Sequence, residues 1–216
     1  ELHKAGRLEE AVGWYARALE RAGPEQTGRS VTYPREGLLL AYAELGKFDE
    51  AARWVDRWAA SPSLVTVARV PWYRAFLAWR RGTAFDPPPL TTGAYDLLHL
   101  WSFEMRLARN AEPEPLLARA REEFVDAVRA RGPLLSVQAE LLDRLGRRDE
   151  ARAVAREAWR ETENAVRTEV WTRSHLDLVV ERVARLVGGK EARDARALLA
   201  TIQAEARRPN PGAPAR

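Results

Sequence analysis

"LGKFDEAARW", residues 45–54, returns one hundred positions later as "LGRRDEARAV", residues 145–154. In both copies a glycine follows a leucine, a cation follows the glycine, and an Asp-Glu-Ala run begins two residues further on. Glycine accepts the left-handed backbone that ends a helix, and acids are favoured in the first turn of the next one. Apolar spacing agrees on both sides of Gly46. Leu38, Leu39, Tyr42 and Leu45 fall at i, i+1, i+4 and i+7, and Ala51, Trp54, Val55 and Trp58 at i, i+3, i+4 and i+7, which is helix periodicity. Two apolar stripes joined by a glycine turn predict a helical hairpin.

The same grammar occurs elsewhere. Gly6, Leu8, Glu10, Ala11, Tyr15, Ala18 and Leu19 repeat the spacing near the start, and Gly146, Glu150, Ala151, Ala155 and Ala158 repeat it later. Alanine recurs where two helices of a hairpin approach closely. Residues 113–133 offer Ala120, Phe124 and Ala127 as a further second helix, with 94–109 as its partner. A last pair lies around Gly188 and Gly189, with Ala195, Leu199 and Ile202 in its second helix. The pattern predicts helices near 1–5, 7–22, 34–45, 47–60, 64–81, 94–110, 114–131, 134–145, 148–162, 167–187 and 190–207. "GTAFDPPPLTTG", residues 82–93, carries three consecutive prolines and predicts an extended insert, while 208–216 lacks large apolar groups and predicts a disordered tail.

These residues resemble the tetratricopeptide repeat family, a helix-turn-helix unit of roughly 34 residues with set glycine, aromatic and small positions. Tyr42 stands at the aromatic position, Ala51 at the small one and Val55 at the apolar one. Trp58 departs from it, standing where the family has alanine, so the next helix should be displaced or tilted there. The glycine spacing is also irregular, 40 residues from Gly6 to Gly46 and 100 from Gly46 to Gly146. The resemblance implies an all-α fold, a right-handed superhelical solenoid of stacked antiparallel hairpins over 1–207, with the sequence starting inside a repeat.

The resemblance also implies that first helices line a concave groove that holds a peptide or partner domain. Carried over, groove positions are Tyr33, Glu36, Leu40, Ala43 and Glu44 in the Gly46 hairpin, and Pro133, Ser136, Glu140, Asp143 and Arg144 in the Gly146 hairpin. One subclass of the family clamps peptide carboxylates with lysine and asparagine. Glu36 and Leu40 stand at those places, so that clamp is not expected. The implied role is a non-catalytic interaction scaffold, or alternatively the regulatory or sensor arm of a larger signalling enzyme or protease.

Composition narrows the chemistry. There is no cysteine among the 216 residues, which excludes disulfides and thiolate sites. No apolar run approaches the roughly 20 residues that span a bilayer, and no signal peptide opens the chain, so a cytoplasmic location is expected, although Glu1 rather than methionine comes first. The alanine- and arginine-rich composition fits a GC-rich bacterial source. Net charge is +4, and after Gly189 six cations face three acids. A pI of 9.7 alone does not make a nucleic-acid footprint, which needs cations clustered on one face. His3, His99 and His175 have no second ligand at metal spacing, and Ser174, His175 and Asp177 are too close in sequence to form a catalytic relay. Gly188-Gly189-Lys190 lacks the rest of a phosphate loop. No cofactor, metal or catalysis is expected. Most of the eight tryptophans are expected in the core.

Overall fold

A computed structural model describes residues 7–23, 29–61, 63–89, 96–124, 131–167 and 175–206. Within them all regular structure is helical and no strand occurs. The expected helix at 1–5, the expected tail at 208–216, and Gly6, Trp171 and Ser174 lie outside the described residues. Contacts group the described residues of Glu1–Pro89 into one compact unit and those of Leu90–Glu205 into another.

The first unit contains α1 (Leu8–Ala22), α2 (Arg29–Glu44), α3 (Phe48–Ala59), a single turn α4 (Leu64–Val67) and α5 (Val70–Arg81). Helix α2 packs against α1, α3 and α5. Pro34 sits inside α2 rather than at its start. The turn ahead of it stays helical because Val31 and Thr32 are buried there, and their burial outweighs the hydrogen bond that proline cannot make. The segment expected as one helix over 64–81 is divided into α4 and α5, with Pro71 in the first turn of α5, where a missing N–H costs least. Trp58 is buried and meets Tyr73 of α5 edge-on at 5.4 Å between centroids, so an aromatic pair fills the space between α3 and α5. After Gly82, residues 83–89 are non-helical, as the proline run predicts.

The second unit contains α6 (Asp96–Ala108), α7 (Pro113–Phe124), α8 (Arg131–Arg144), α9 (Arg148–Ala165), α10 (Leu176–Leu186) and α11 (Gly189–Ala206). Its centre is α8, which packs against α6, α7, α9 and α10. Gly132 through Ala139 are buried without a break, so α8 has no solvent face over that stretch. Leu100, Phe103, Leu107, Leu116, Leu117, Leu134, Val137 and Leu141 form one core, and Trp159, Leu176, Val179, Val183, Ala195 and Ile202 another.

The doubled phrase closes both hairpins identically. Gly46 has φ 70° and Gly146 φ 75°. Lys47 N donates to Tyr42 O at 2.9 Å and Gly46 N to Ala43 O at 3.1 Å, while Arg147 N donates to Leu142 O at 3.0 Å and Gly146 N to Asp143 O at 2.9 Å. This pair of bonds is the Schellman closure. Asn110, with φ 53°, makes the same closure after α6 through Ala111 N to Arg106 O at 3.0 Å. A Cβ on Gly146 would meet nothing within 4 Å, so only backbone strain opposes a side chain there. Gly146→Ala is therefore expected to lower unfolding free energy by about 1–2 kcal/mol, read by urea denaturation with an unchanged m-value.

Candidate functional site

The groove positions implied by the repeat resemblance separate into surface and interior. In the first unit Glu44 is exposed and Tyr33 half-buried, whereas Glu36, Leu40 and Ala43 are buried. Glu36 accepts from Arg69 Nη1 at 3.4 Å, and the neighbouring Arg35 Nη1 donates to Thr66 Oγ1 at 2.9 Å. The Arg35 guanidinium also lies 5.8 Å from the Trp58 ring centroid. Burial pushes the Arg35 pKa below its usual value, and the like charge of Arg69 adds to that. Burial pushes the Tyr73 phenol upward, with the Glu36 carboxylate acting in the same direction, so Tyr73 stays neutral. This cluster ties α2 to the α4–α5 segment, and of the implied groove residues in this unit only Tyr33 and Glu44 keep solvent exposure.

In the second unit the five implied residues do come together, and three that spacing did not single out, Glu104, Arg182 and Arg185, join them. Arg182 of α10 donates from Nη1 to Glu104 Oε1 of α6 at 2.8 Å and to Ser136 Oγ of α8 at 3.0 Å, and its Nη2 pairs with Glu104 Oε2. Ser136 in turn donates to Pro133 O at 2.7 Å. Glu140 Oε2 lies 3.8 Å from Arg182 Nε and pairs also with Arg185, while Arg185 Nη1 meets Asp143 Oδ2 at 2.5 Å. Arg144 donates from Nε to Glu140 Oε1 at 3.1 Å and from Nη1 to Leu107 O at 3.2 Å.

Three carboxylates thus face three guanidiniums across α6, α8 and α10. Burial works against the charge on Arg182, yet Glu104 first and Glu140 after it more than compensate, so its pKa ends above the usual value. For Arg185 burial likewise opposes and Asp143 and Glu140 overcome it. The inner end, Glu104 and Arg182, is nearly closed to solvent, with side chains 2% and 11% exposed, whereas Arg185 at 48% reaches water. An open pocket of about 370 Å³ begins beside Arg185 and is lined by Val180, Glu181, Ala184, Arg196 and Leu199.

Chemically, the network is saturated with its own partners. It fixes how the three helices sit along one another, and it presents charges at its outer end rather than a poised acid, base or nucleophile. Among the described residues no group of His, Asp and Glu could hold a metal ion, and none of their helices is long and apolar enough to cross a membrane. His175 is buried at the start of α10, and the side chains of His3 and His99 lie outside the description. No protein-family model, no curated protein and no solved structure matches the chain.

Proposed function

We propose that the chain is a non-catalytic interaction scaffold of tetratricopeptide-like hairpins that binds a peptide or partner domain along its first helices. The observation that carries this reading is the packing of α8. It lies against its own hairpin partner α9, against α6 and α7 before it, and against α10 after it. Nearest-neighbour packing of a repeated helical hairpin is the physics of a repeat array, and such arrays work as extended binding surfaces. The closed charge network supports the same reading, since its groups are committed to one another rather than to a substrate.

The burial pattern decides how the reading is tested. Leu40→Arg would insert a charge into the core and report on folding, so the informative positions are Tyr33 and Glu44. With the full chain as bait, Tyr33→Ala combined with Glu44→Lys is expected to weaken capture of its partner about tenfold while the circular dichroism melt is unchanged. A folded double variant that retains the same partner as tightly as the parent does would overturn the groove reading.

A further inference from the structure

We draw no further inference here: the strongest candidate, the open pocket between α10 and α11 with Val180, Ala184 and Leu199 as its apolar lining, mixes the exposed charges of Glu181, Arg185 and Arg196 at its rim, so that its charge selects no one occupant and nothing in the structure shows what covers it.

Discussion

Glu104→Ala is expected to lower the unfolding free energy by about 3–5 kcal/mol, the cost of leaving one member of a buried ion pair without its partner. Arg182 is the member left behind. Its side chain is 11% exposed, and Glu104 supplies both its two-pronged contact and the largest opposing charge. Ser136 Oγ and the Glu140 oxygen 3.8 Å away would remain, which is too little to replace a carboxylate at hydrogen-bond distance. Removing both charges is a different experiment. Glu104→Leu with Arg182→Met keeps the volume and leaves nothing unpaired, so the double variant should lie within about 1 kcal/mol of the parent. A urea double-mutant cycle separates these outcomes, and a single-variant loss below about 1 kcal/mol would mean the pair is effectively solvated. Arg152→Ala is the control. Its partner Asp149 is 3.5 Å away with a side chain 99% exposed, so its removal should cost less than about 0.5 kcal/mol.

How much of this was legible in sequence follows from the range of the forces involved. The two hairpin turns were legible at Gly46 and Gly146 because a positive φ and an acidic first turn are local chemistry. The helix faces were legible too, since Ala51, Val55 and Trp58 are buried as their spacing predicts. The start of α2 was not, because Pro34 argues for a boundary and only the burial of Val31 and Thr32 argues against it. The depth of Glu36, Leu40 and Ser136 was hidden for a related reason. Periodicity says which residues share a face, while the neighbour that covers the face comes from elsewhere in the chain. Arg182 meets Glu104 across 78 residues and Ser136 across 46, and no spacing rule connects such positions. The alanine stripes suggested close helix approach but not where it would be tightest.

That place is Gly132, and it carries the second large effect. A Cβ there would stand 2.3 Å from Thr162 Oγ1, 2.8 Å from Thr162 N and 3.0 Å from Thr162 Cα. Two of the three atoms are backbone of α9, so a new rotamer cannot relieve the contact and the α8–α9 pair must separate. Gly132→Ala is expected to cost about 3 kcal/mol, at the upper end of ordinary overpacking, which is a large part of the roughly 5–15 kcal/mol that holds a domain folded. Thr162→Ala added to it removes the hydroxyl contact and should recover only a minor share, because the backbone atoms stay where they are. Gly37 provides the comparison. A Cβ there would meet Tyr15 Cζ at 2.6 Å and Oη at 2.8 Å, the far end of a half-buried ring that can swing toward solvent. Gly37→Ala should therefore cost less than Gly132→Ala, and Tyr15→Leu should largely relieve it. If urea denaturation ranked the two glycines the other way, the tightest approach would lie between α1 and α2 rather than between α8 and α9. The order matters for the charge network as well. Helix α8 carries Glu140, Asp143 and Arg144 at its far end, so a wedge at residue 132 would tilt the outer charges of the network against Arg185, and the position of those charges would change before any of them was mutated.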